Sequence, residues 1–111
     1  MKSLILAIEK IASENPEGFT IEIPSLEFVQ SGIVSAYEAT QNNFDSSNLV
    51  QVLNHAISHS SILGGWLDSE RNIFYFDSCK IFTDLEEAIK FGKENNQIAI
   101  FDLDTLTEIR L

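Results

Sequence analysis

A single cysteine, Cys79, is all the chain has, so it cannot staple itself with a disulfide and carries no mark of an oxidising compartment. Positive charge is scarce: seven Lys and Arg stand against seventeen Asp and Glu, a net charge of −10. That balance excludes direct binding of nucleic acid, because Lys and Arg supply the affinity for phosphate. Long hydrophobic runs are also missing, and no segment approaches the roughly 20 apolar residues of a membrane span. The apolar start, Leu4 to Ile8, is interrupted by Glu9 and Lys10 and followed by no small-residue cleavage site. It reads as an amphipathic helix and not as a signal peptide. Low-complexity tracts, linkers and short repeats are absent. The expectation is a cytoplasmic protein without membrane contact.

What is present suits one folded unit. With 111 residues and a 44% apolar share, the chain is expected to form a single domain over residues 1–111. Leu4, Ile5, Ile8, Ile11 and Ala12 recur at helical spacing, and Asn15-Pro16-Glu17-Gly18 ends that helix. Phe19 to Ile23 alternates apolar with polar residues, as a half-buried strand does, and Pro24 stops it. A less regular strand is expected within Glu27 to Tyr37, interrupted at Ser31-Gly32, with Ile33, Ser35 and Tyr37 on one face. After the polar loop Thr40 to Asn43, a second helix buries Leu49, Val50, Leu53, Ala56 and Ile57, capped by Asp45, Ser46 or Ser47. Ile62 to Leu67 and Ile73 to Phe82 read as a hairpin around Asp68 to Asn72, with a bulge or close backbone approach at Gly64-Gly65. Thr83-Asp84-Leu85-Glu86 matches a capping box for a third helix, reaching about Glu94. Gln97 to Phe101 lacks alternation and is expected to be covered on both faces or central, and Leu106 to Leu111 is a short last strand. The order αββαββαββ predicts an α+β fold, with a mostly antiparallel sheet and about three helices.

The charges are unevenly placed. Between Lys10 and Arg71 there is no base, while Glu14, Glu17, Glu22, Glu27, Glu38, Asp45, Asp68 and Glu70 stand in that interval. Such a stretch is either a solvated face or a field that steers a basic partner into contact. On the second reading Glu22, Glu27, Glu38 and Asp45 are the docking carboxylates. Tyr37 and Trp66 are the candidate aromatic anchors, since Tyr and Trp dominate binding hot spots. Trp66 has a competing reading as a core residue.

Catalytic and metal motifs are weak. His55 and His59 share a helical face at the spacing of zinc helices, but Ala56 stands where the zinc proteases carry Glu, and the third ligand would have to be Cys79 or Asp77. No metal and no cofactor are expected. Cys79 follows Asp77-Ser78 without a nucleophile elbow, and alternation makes it a buried partner of Ile73 and Tyr75. Asp102 and Asp104 are placed like acids at a strand end, or simply form a turn. No residue is assigned a catalytic role.

The segments Gly64-Gly65-Trp66, Tyr75-Phe76-Asp77-Ser78 and Asp84 to Leu103 carry a resemblance. Over residues 64–111 the chain resembles small uncharacterised acidic proteins of bacterial phages and mobile elements. The resemblance implies a genomic neighbourhood that includes inhibitors of host defence nucleases, anti-CRISPR proteins among them. The function expected is therefore non-enzymatic: an acidic module that binds a basic protein surface, as a nucleic-acid mimic inhibiting a nucleic-acid-binding defence complex does. The alternative is a small enzyme or ligand-binding domain with a cleft near Trp66, Asp77 and Asp102.

Overall fold

The computed structural model describes residues 2–111, apart from the side chain of Ser46. Three helices, α1 (Lys2–Glu14), α2 (Ser46–Ser58) and α3 (Leu85–Glu94), pack on a sheet of six strands. The strands are β1 (Gly18–Glu22), β2 (Ile33–Ala36), β3 (Ile62–Asp68), β4 (Ile73–Phe82), β5 (Ala99–Asp102) and β6 (Thr107–Arg110). They lie in the order β1-β3-β4-β2-β5-β6, and every pairing is antiparallel. The fold is α+β, with the αββαββαββ order read from the sequence.

Successive strand residues face opposite ways, so the register assigns each side chain to a face. One face carries Phe19, Ile21, Leu63 and Phe76, which pack with Ile8 of α1 and Leu49, Val52, Leu53 and Ala56 of α2. The same face continues across β2 and β5 as a second cluster, Ile33, Phe82 and Ile100 beneath Ala88 of α3. Leu49, Val52, Leu53 and Leu63 are fully buried; a buried aliphatic side chain contributes about 1.5–3 kcal/mol by leaving water. All three helices lie on this one side. The face of Trp66, Tyr75, Asp77 and Cys79 has no helix over it.

Several local expectations are refined. Asp45 caps α2 by accepting from the Asn48 amide at 2.9 Å. The cap of α3 is Asp84, not Thr83, and it accepts from the Glu87 amide at 3.3 Å; its carboxylate also suits the positive end of the helix dipole. Gly64-Gly65 makes no bulge, since the β3–β4 register runs unbroken from Ile62↔Cys79 to Asp68↔Ile73. The glycines serve close packing: a Cβ on Gly65 would lie 2.5 Å from the Phe19 ring and 2.6 Å from the Phe74 ring. β5 is neither central nor covered on both faces. It sits between β2 and β6, Ile100 alone is fully buried by α3, and Ile98, just outside the strand, is 75% exposed. The apolar run there joins an exposed loop residue to a strand covered on one side.

The edge strand β1 is partly shielded by the chain that follows it, with Glu22 N–H donating to Glu27 O and Val29 N–H to Thr20 O, both at 2.9 Å. Among the described residues no helix is long and apolar enough to cross a membrane.

Candidate functional site

On the open face of the sheet, aromatic, acidic and amide side chains converge around a cleft. The hairpin register sets Trp66 directly opposite Tyr75 and Asp77 directly opposite Gly64. Because Gly64 has no side chain, the Trp66 indole can lean diagonally across the strands, a reach that large side chains manage. It stacks on Tyr75, with ring centroids 4.9 Å apart and planes 25° apart, and donates its Nε1–H to Asp77 Oδ2 at 3.1 Å. Phe44 meets Tyr75 edge-on at 6.0 Å. Tyr75 is thereby buried, whereas Trp66 remains 47% exposed.

Around this pair runs a cleft of about 300 Å³, walled by Gln41 and Asn42 on one side and by Asn96, Gln97 and Ile98 on another, with Asp68 and Arg71 at the hairpin end. Asp68 is tied into its turn, accepting from the amides of Glu70 and Arg71, and Arg71 Nε stands 3.8 Å from Asp68 Oδ2. Burial pushes the Asp77 carboxyl up to about 6, against the weaker lowering influence of the Trp66 hydrogen bond. Among the described residues, nothing donates to its second oxygen. Cys79, two residues on, is buried and its thiol is raised well above the usual range, by burial first and by Asp77 second, so it is no nucleophile.

The other candidates are placed elsewhere. Asp102 accepts from the Asp104 amide at 2.9 Å, and Asp104 Oδ2 accepts from Gly32 N–H at 3.3 Å; both shape the β5–β6 turn, away from the cleft of Trp66 and Asp77. Tyr37 is an internal joint: its ring meets His55, His59 and Phe91 edge-on, and its hydroxyl pairs with Ser60 Oγ at 2.8 Å. His55 and His59 do share a face, but His55 Nδ1 pairs with Ser78 Oγ at 2.8 Å and His59 Nδ1 lies 2.7 Å from the His55 carbonyl. Among the described residues no three of His, Cys, Asp and Glu gather where they could hold a metal ion.

The four acids differ in their surroundings. Glu22 and Glu27 are exposed and adjacent through their backbones. Glu38 is exposed but engaged, its amide donating to Asn95 Oδ1 and its carboxylate accepting from Asn96 Nδ2 at 2.6 Å. Asp45 serves its helix, and hydrogen bonds from Ser47 and the Asn48 amide lower its carboxyl.

The sequence places Trp66 and Asp77 at a cleft, but does not bring Tyr75, Asp68, Arg71 or the amides of the rim to it. Tyr75 was legible: counting outward from the hairpin turn pairs it with Trp66, and alternation puts it on the face of Asp77. The rim amides were not, since residues 41–42 and 96–97 meet only through the strand order. A flatter hollow of about 550 Å³ between Lys93 and Arg110 is lined by no carboxylate, thiol or imidazole side chain. Comparison with known protein families, with curated proteins and with solved structures finds no match.

Proposed function

We propose that this protein is a non-enzymatic module that docks through its carboxylates onto a basic protein surface. The observation that carries the reading is uncompensated charge. Glu14, Glu17, Glu22, Glu27, Glu38 and Asp45 are all exposed, and among the described residues none has a Lys, Arg or His within ion-pair distance. A field of that kind accelerates encounter with a basic partner and weakens with salt. A run of carboxylates also imitates the charge pattern of phosphates. The sharpest form of the proposal is an inhibitor, working in the cytoplasm, that occupies the nucleic-acid groove of a CRISPR-type defence complex.

Affinity for a purified RNA-guided nuclease, at low and near-physiological salt, tests this. Three proteins are compared: the wild type, a set with Glu14, Glu17, Glu22 and Glu27 changed to Gln, and the same set changed to Lys. Wild type should bind most tightly and lose most affinity with salt, the Gln set should be intermediate, and the Lys set should bind least. Equal binding by all three at both salt levels would show that the charge serves solubility alone.

A ligand-binding reading is favoured by a separate observation, the Trp66–Tyr75–Asp77 cleft. The two readings meet if the cleft receives part of the partner.

A further inference from the structure

We infer that the cleft of Trp66 and Asp77 is the seat for a guanidinium group, an arginine side chain of the basic partner. This deepens the docking reading and rests on it. Three features of the cleft select the ligand class. Trp66 is backed by Tyr75 on one side and 47% exposed, so it offers an open indole face, the best aromatic surface for a cation. Asp77 lies at the edge of that face, one oxygen held by the indole N–H and the other free of hydrogen bonds from the described residues. Asp68 stands at the hairpin end of the same cleft, paired only loosely with Arg71 at 3.8 Å.

A planar cation fits this arrangement better than a spherical one. A guanidinium can lie flat on the indole and direct N–H groups in its own plane toward a carboxylate at the ring's edge. An ammonium can use the charge but not the plane. Gln97 and Asn42 on the walls supply amide oxygens for the remaining N–H groups. Arg71 is the built-in competitor, a cation already at Asp68, with its side chain 72% exposed and free to be displaced.

The surroundings of Asp77 favour a cation for the same site. A half-buried carboxylate without a cation is unfavourable to the fold, as its upward shift shows. A bound guanidinium would remove that penalty by supplying the missing charge.

Trp66 is the sole tryptophan, so its fluorescence reports on the cleft directly. The probes are acetylated hexaarginine, hexalysine and hexacitrulline peptides, the last being arginine's uncharged near-isostere, all at one ionic strength. Hexaarginine should change the emission and bind about tenfold more tightly than hexacitrulline and several-fold more tightly than hexalysine, the scale of one desolvated cation–π contact with a charged hydrogen bond. Asp77→Asn should lose most of that preference, and Arg71→Gln should tighten binding. Affinity should fall as pH drops through about 6, and this step should vanish in Asp77→Asn. Among the described residues, the other charged or titratable groups on or beside the cleft are Asp68, Arg71, Tyr75, Cys79 and Glu38, whose carboxylate accepts from Asn96, and the variant separates their contribution from that of Asp77.

Equal binding of arginine and citrulline peptides would assign the cleft to a neutral ligand and overturn the inference. Indifference to Asp77→Asn, with salt-dependent binding of both basic peptides, would overturn it too while leaving the docking reading standing. Failure of every basic peptide to bind, at low salt as well, would sink both.

Discussion

The imidazoles of His55 and His59 lie face to face, 3.7 Å between centroids and 5° from parallel, with Tyr37 edge-on to both. Two stacked rings at that distance cannot both hold a proton without repulsion. Burial, and secondarily His59, hold His55 below its usual range. The unfolded chain therefore binds the proton more readily. The contribution of His55 to stability is complete above the ordinary histidine value of 6.5 and is lost as pH falls through it toward the lower folded value. Denaturation midpoints measured from pH 8 downward should decline through this window, and His55→Gln should flatten the decline.

Asp77 has the opposite linkage. Its folded value of about 6 lies above its ordinary 3.8, so the folded state holds the extra proton and stability is gained as pH falls from about 6 toward 3.8. At neutral pH the ionised carboxylate is a burden, at most about 3 kcal/mol for a shift of this size. Asp77→Asn keeps an oxygen for the Trp66 indole and removes the charge. It should raise the melting temperature at pH 7 and leave it nearly unchanged near pH 4. Since the two titrations oppose each other, the effect of His55 should be clearest in the Asp77→Asn background.

Gly65 marks where the fold has no room. Any Cβ there meets the rings of Phe19 and Phe74 at 2.5–2.6 Å, and both rings are hemmed in by Phe76. Gly65→Ala should destabilise by about 1–3 kcal/mol, the usual scale of overpacking, as urea denaturation would measure. Gly65→Val should cost more than Gly65→Ala.

Tyr37 joins helix to helix and should behave as a structural residue. Tyr37→Phe removes the hydrogen bond to Ser60 and should cost about 1 kcal/mol. Tyr37→Ala also removes the contacts with His55, His59 and Phe91 and should cost about 3 kcal/mol or more. Neither should alter affinity for a basic peptide while the protein stays folded; a selective loss of binding in Tyr37→Phe would make Tyr37 a contact residue.

Much of the architecture was written locally. The period of α1, the alternation of Phe19 to Ile23, the polar turn Asp68 to Asn72 and the polar residues before α2 and α3 are short-range signals, and each marks an element close to its expected bounds, although Asp84 and not Thr83 caps α3. Local physics suffices there because a helical stripe or a hairpin register depends on residues a few positions apart. The charge gap between Lys10 and Arg71 is likewise a property of the chain alone. Tertiary structure decided what local patterns leave open: that all three helices lie on one side, that Trp66 stays in the open while Tyr75 is buried beneath it, and that Asp77 joins the cleft while Asp102 turns a corner. Gly64 is the clearest instance. A missing side chain in β3 is, by sequence, a sign of a bulge or a close backbone approach; only its register with Asp77 in β4 makes it the space over which the indole leans to reach a carboxylate. Such pairings are set by strand order and by which face the helices cover, and those depend on burying the whole apolar surface at once.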